Sequence, residues 1–170
     1  MERTDPDLTG DELTLLSQFL DYYRATILTK VAGLDQVGMA TTLPPSDLTL
    51  AGLVKHLALV EDWWFHQVMG GHPEPEPWAG APADDPDWEW HSAVEDSPGE
   101  LVGLYETACA RSRTVVAAVG DLDALSARMS SRNGRHFNLR WIMLHMIEET
   151  ARHAGHADFL RQAVDGSVGD

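Results

Sequence analysis

The chain has 170 residues, 44% of them apolar, which fits one domain with a proper core and argues against general disorder. Its net charge of −15 at pH 7 makes nucleic acid a poor partner, because phosphate binding needs a basic face. The single cysteine, Cys109, excludes an internal disulfide and a cysteine-rich zinc finger, and no apolar run reaches the roughly 18 residues of a membrane span.

The opening MERTDPDLTG is acidic and polar, with neither the basic start nor the apolar stretch of a secretory signal, so the cytoplasm is the expected location. Thr9 and Glu12 form an S/T-x-x-E pattern that predicts a capping box ahead of a first helix from about Asp11 to Val31. A second helix is predicted from about Thr49 to Met69, after Pro44 and Pro45 and before Gly70 and Gly71. The connection over residues 70–97 holds Pro73, Pro75, Pro77, Pro82 and Pro86 together with Trp78, Trp88 and Trp90. A structureless loop of that length is uncommon in a compact domain, so the tryptophans predict that it packs onto the body. In a bundle, such a connection often leaves two consecutive helices parallel.

A third helix is predicted from about Pro98 to Val119, with Ser97 as N-cap, Pro98 in the favoured first position and Glu100 completing a capping box. Residues 120–137 are expected to hold a short extra turn around Leu122 to Met129. A fourth helix is predicted from about Leu139 to Val164, opened by Asn138 and closed by Asp165 and Gly166. No alternating pattern predicts a strand, and there is no internal repeat. The expectation is an all-α four-helix bundle, one domain over residues 1–170.

The fourth helix carries the strongest chemical signal, in HMIEETARHAGHADFL. At about 100° per residue, and relative to Glu149, His153 lies at about +40°, His156 at about −20° and His145 at about −40°. Ile142, Met146, Leu160 and Val164 fall between about +20° and +60° on the same count, so the cluster shares the inward face. Glu148, Arg152 and Asp158 lie off that centre and can be solvated. A carboxylate inside a bundle is costly unless it is paired or bound to a metal, and bundles build metal sites from ligands on facing helices. The second helix supplies a partner. Taking His56 as zero, Leu53 lies at about +60°, Val60 at about +40° and Trp63 at about −20°, so His56 also points inward. A triad of His56, Glu149 and His153 would leave an open coordination position, as in catalytic zinc sites.

Other readings stand beside this one. His56 alone fits a hydrogen-bonded core histidine, and His145 and His156 fit either polar core groups or groups that orient a ligand. His66, His72, His91 and His136 are expected at the surface. Trp63 and Trp64 are expected as core and pocket wall, and Cys109 as a small buried apolar residue.

The motif LRWIMLHMIEETARHAGHADFLRQAVDG, with LAGLVKHLALVEDWW, resembles the DinB/YfiT-like superfamily of metal-binding bundles. The likeness runs from the first helix to Gly166. It is nearest to uncharacterised actinobacterial members and to the bacterial low-molecular-weight-thiol S-transferases. Ten arginines against two lysines, Lys30 and Lys55, suit a GC-rich genome. The resemblance implies an up-down-down-up bundle and a metal triad of His56, Glu149 and His153. Glu149 departs from the three-histidine version and matches the His/Glu/His version in the zinc-binding domain of mycothiol-dependent maleylpyruvate isomerase. That isomerase also carries a C-terminal domain without counterpart in these residues, so isomerase activity is not expected.

The leading expectation is a transferase. A divalent metal, zinc ahead of nickel, iron or manganese, would bind and deprotonate a mycothiol-like thiol. The thiolate would attack an electrophilic small molecule held near Trp63, Trp64 and the Trp-containing connection, with His156 or His145 as base. Two alternatives stay open: a hydrolase using metal-bound water, and a non-catalytic metal-binding stress-response bundle. A homodimer is expected from the size and the resemblance.

Overall fold

The computed structural model describes residues 3–169. Met1, Glu2 and Asp170, the outermost residues of the expected domain, lie outside them. The frame is four long helical rods: α1 (Glu12–Val31), α3 (Leu50–Glu61) continued by a π-helical stretch (Asp62–Met69), α5 (Pro98–Val119) and α6 (Leu139–Asp165). Two short helices, α2 (Gln36–Met39) and α4 (Trp88–Ser92), sit in the connections. α1 packs along α6, and α3 with its π-helical continuation packs along α5. No helix among the described residues is long and apolar enough to cross a membrane.

The predicted caps of the last two long helices form. Ser97 and Glu100 close a reciprocal capping box at the start of α5, and the Asn138 side chain accepts from the Trp141 backbone N–H at 2.9 Å. Both helices end on a left-handed glycine, Gly120 and Gly166. The box expected from Thr9 and Glu12 does not form. Asp11 is the N-cap, its carboxylate accepting from the Thr14 N–H at 3.0 Å and the Thr14 hydroxyl at 2.7 Å. Glu12 is turned away to Arg140 at 2.8 Å, so an ion pair to α6 takes the side chain the box needed.

The extra helical turn expected near Leu122–Met129 is also corrected. Leu125–Met129 and His136–Asn138 form an antiparallel hairpin, β1 and β2. The alternation was masked because its polarity is inverted. Leu125, Ala127 and Met129 face out, while Ser126 is buried, donating to the Arg128 carbonyl at 2.7 Å and accepting from the Phe137 N–H at 3.0 Å.

The core divides in two. One cluster holds Leu50, Leu53, Leu57, Leu101, Tyr105 and Leu160; the other holds Phe65, Val115, Leu139, Ile142, Met143 and Met146. Between Ala58 of the first and Phe65 of the second, the second rod changes from α to π. Glu61 and Asp62 mark this junction, and both are 0% exposed. Buried carboxylates demand strong partners. Arg24 of α1 grips Glu61 with two hydrogen bonds, 2.7 and 2.6 Å, and Arg111 of α5 grips Asp62 at 2.8 and 2.6 Å. Trp78 Nε1 adds a third donor to Asp62 at 2.8 Å, which anchors the proline-rich connection. Trp88 lies under the Lys55 ammonium at 4.3 Å. The connection therefore packs on the body, as its tryptophans predict.

Candidate metal centre

His56 stands on α3 near the α4 connection, while Glu149 and His153 stand one turn apart on α6. The regular i,i+4 spacing places Glu149 Oε1 3.2 Å from His153 Nε2. The same oxygen lies 3.4 Å from His56 Nε2, across the helix interface. One ligand atom from each residue lies within 4.8 Å of the others.

The side chains behind these three come from a segment that periodicity could not place. Glu89 of α4 puts Oε1 3.1 Å from His56 Nδ1. The Trp90 ring stacks on His56 at 4.5 Å, its plane inclined by 23°. Gly52, one turn before His56, makes room for that ring: a Cβ there would sit 2.7 Å from Trp90 Cε3. Thus α3 supplies a gap, α4 fills it with indole, and His56 is held from behind. The only sequence signal was the run DWEWHS, whose acid and aromatics mark contact with the body without naming its target.

The electrostatics follow from the contacts. Both ring nitrogens of His56 face carboxylates, which only accept hydrogen bonds when ionised. Burial is the largest single influence on His56 and pushes its pKa down, but hydrogen bonds to Glu149 and Glu89 outweigh it, and the net direction is up. Hydrogen bonds from His153 and His56 hold the Glu149 carboxyl well below the usual carboxylate range. His156 places Nδ1 3.4 Å from His153 Nδ1, and burial followed by the neighbouring His153 pushes its pKa down.

His145, Trp63 and Trp64 are placed elsewhere. His145 stacks on Trp141 at 5.1 Å and meets the edge of Trp64 at 4.9 Å. It lies one turn from Glu149 without touching the three ligand candidates. Trp63 is 42% exposed, although a uniform 100° count puts it inward with His56. The rod is π-helical from Asp62 to Met69, where the 100° count no longer applies, and the Gly70 N–H closes the stretch by bonding back five residues to the Phe65 carbonyl at 2.9 Å. Phe65 goes to the core, and Trp63 and Trp64 face the hairpin and the start of α6. His72, His91 and His136 are exposed, and His66 is half-buried beside His72.

The donor set fits a divalent cation. Ligands about 2.0–2.1 Å from a common tetrahedral centre lie roughly 3.3–3.4 Å apart. The Glu149 contacts of 3.2 and 3.4 Å match that edge. Two imidazoles and a carboxylate suit zinc and its neighbours. Glu89 completes the usual support, a carboxylate accepting the N–H on the far side of a ligating imidazole. With His56 Nδ1–H donating to Glu89, Nε2 is the nitrogen that would turn its lone pair to a cation held with Glu149 and His153, in exchange for the proton it shares with Glu149 in the metal-free protein.

A sequence model of the family described as mycothiol-S-transferase matches residues 15–166. No curated protein matches the chain. A crystal structure of a conserved protein from Enterococcus faecalis shares the fold, with a TM-score of 0.72 at 16% identity, covering 94% of this chain and 100% of that one.

Proposed function

The chain belongs to the mycothiol S-transferase family, a DinB-like family, and on that footing we propose that it joins mycothiol or a similar small thiol to an electrophilic small molecule in a metal-dependent reaction. The observation that carries the reading is the meeting of His56, Glu149 and His153 between two helices, with Glu89 behind His56. These three would hold the cation, and zinc is the one we propose. A divalent cation held by them would supply Lewis acidity that favours the deprotonated, nucleophilic thiol.

The chain's own residues set the rest. Glu89 fixes the His56 tautomer, and Trp90 shields one face of its ring from water. Cys109 is buried, and burial followed by the nearby Glu61 pushes its thiol pKa up, so the reacting sulfur comes from the co-substrate. With an organic halide, one carbon–sulfur bond forms, one carbon–halogen bond breaks, halide leaves with the bonding pair and the thiol proton goes to a base. His156 is that base in this reading. Burial and the neighbouring His153 push its pKa down, which favours the neutral imidazole a base requires, and its Nδ1 stands 3.4 Å from His153 Nδ1. His145, packed among tryptophans, lines the approach instead.

The test begins with elemental mass spectrometry on untagged protein. Near-stoichiometric metal is expected in the native chain and loss of it in both His56→Ala and Glu149→Ala. Conjugate formation from mycothiol and a reactive halide is then followed in all three. The expected outcome is turnover in the native protein only, absent without thiol. Equal rates in native and His56→Ala proteins would sink the proposal, and turnover without thiol would turn it toward hydrolysis.

A further inference from the structure

The arginines of this chain divide sharply. Arg24, Arg111, Arg113, Arg140, Arg152 and Arg161 each pair with a carboxylate. Among the described residues Arg128, Arg132 and Arg135 have no carboxylate partner, and all three line one groove of about 1020 Å³ between the hairpin, the π-helical stretch and the start of α6. Arg128 is oriented by neutral acceptors, Gln67 Oε1 at 3.1 Å and the His72 carbonyl at 2.9 Å. The guanidinium groups of Arg132 and Arg135 have no hydrogen-bond partner there. The chain has 27 acidic residues, yet no Asp or Glu lines the groove. In a protein of net charge −15, three uncompensated arginines on one acid-free wall form a local inversion of the field.

The same groove is lined by aromatic rings. Trp64 meets Phe137 and Trp141 at 5.1 and 5.3 Å between ring centroids, and the Arg128 guanidinium lies 5.9 Å over Trp63. Flat apolar walls with a few convergent polar groups are what small-molecule sites present, and the volume is of the size such ligands need. Guanidinium forks match carboxylates with paired hydrogen bonds. His145 also lines this groove and precedes Glu149 by one turn, about 6 Å along α6. We propose that the groove binds a small organic carboxylate with a planar, aromatic body, the arginines taking the anion and the tryptophans the ring. Its use as the subsite for the electrophile rests on the thiol-transfer reading; the binding itself does not.

Calorimetric titration with 1-naphthoate and its uncharged counterpart 1-naphthylmethanol tests this, on metal-loaded and metal-free protein without thiol. Naphthoate is expected to bind about tenfold or more tightly than the alcohol, in both metal states, because hydrogen bonds to charged groups contribute on that scale. The Arg132→Ala/Arg135→Ala protein is expected to lose that preference and keep its melting temperature, since both side chains are exposed. Equal affinity for the two probes, or an unchanged preference in the double variant, would overturn the proposal. So would competition by inorganic phosphate at concentrations near those of naphthoate, which would leave the aromatic wall without a role. Because thiol is absent from both arms and metal from one of them, failure of binding in the metal-free arm is distinguishable from failure of the transferase reading.

Discussion

The seam between the second rod and α6 has two ends of opposite character. At one end His56, Glu89, Glu149 and His153 bring two carboxylates and two imidazoles within hydrogen-bond reach of one another. At the other end Arg128, Arg132 and Arg135 share one groove with Trp63, Trp64 and Trp141, and no acid lines it. The first suits a cation and the second an anion. What separates them is the α-to-π junction at Glu61 and Asp62. Before it the rod keeps α periodicity, and His56 faces α6. After it the register has slipped, and Trp63 and Trp64 turn to the hairpin. A seam of uniform α geometry would carry one stripe of inward residues past both ends; the junction gives each end its own set.

The largest expected effect comes from loosening that junction. Arg24→Ala leaves the fully buried Glu61 carboxylate without its bidentate partner. Breaking a buried pair on one side costs about 3–5 kcal/mol. For a chain of this length that lowers the melting temperature by roughly 6–20 °C. Thermal denaturation of the purified variant measures it. A fall of less than about 2 °C would mean that the α-to-π junction does not depend on this clamp.

Next comes a crossover between the ends. Glu149→Ala is expected to weaken metal binding by on the order of 1000-fold, about 4 kcal/mol, and leave naphthoate affinity within about twofold. Arg132→Ala/Arg135→Ala is expected to do the reverse. Competitive chelator titration and calorimetry read the two quantities. If both variants move both, the ends are one site and the comparison collapses.

How legible each end was in the sequence follows from the same contrast. The juxtaposition of His56 with Glu149 and His153 could be read from spacing, because α3 and α6 are regular there and 100° per residue holds. The inward placement of Trp63 could not, because nothing in DWWFHQVM announces a π turn. Glu89 and Trp90 come from a proline-rich connection whose path is set by contacts far away in sequence, with Gly52 and His56. The hairpin was hidden by its inverted alternation, with Ser126 buried and Leu125 and Met129 exposed. The bundle itself was legible because caps, apolar periodicity and closing glycines agree at α5 and α6.

Glu89→Gln sharpens the cation end. The amide can still contact His56 Nδ1, but it removes the charge behind the ring. Loss of such supporting carboxylates lowers metal affinity by about 10–100-fold. The same chelator competition measures it, and an unchanged affinity would reduce Glu89 to a packing residue.

Proton linkage gives a smaller, signed effect. The folded His56 pKa is raised above its ordinary value of 6.5. In metal-free protein its two carboxylate contacts therefore stabilise the fold fully below that value, and the contribution is lost as pH rises through the raised pKa. A cation must displace the Nε2 proton, so metal affinity runs the other way and climbs over the same window. Melting curves of metal-free protein and metal titrations between about pH 6 and 9 read both trends. Parallel trends would place the cation away from His56.

Gly52→Ala is the finest probe, because two terms nearly cancel in stability while the site still feels one of them. Alanine improves helix propensity by up to about 1 kcal/mol. Its Cβ would lie 2.7 Å from Trp90 Cε3, and a ring carbon cannot yield as a flexible chain end does. Overpacking of this kind costs about 1–3 kcal/mol. Net stability should thus fall by no more than about 2 kcal/mol, so the variant folds. The indole, however, must move off the His56 ring, on which it now stacks at 4.5 Å. Metal affinity is expected to drop several-fold and the Trp90 fluorescence environment to change, with naphthoate binding unaffected. Unaltered metal affinity beside altered fluorescence would show that Glu89 alone orients His56 and that the indole serves only to cover it.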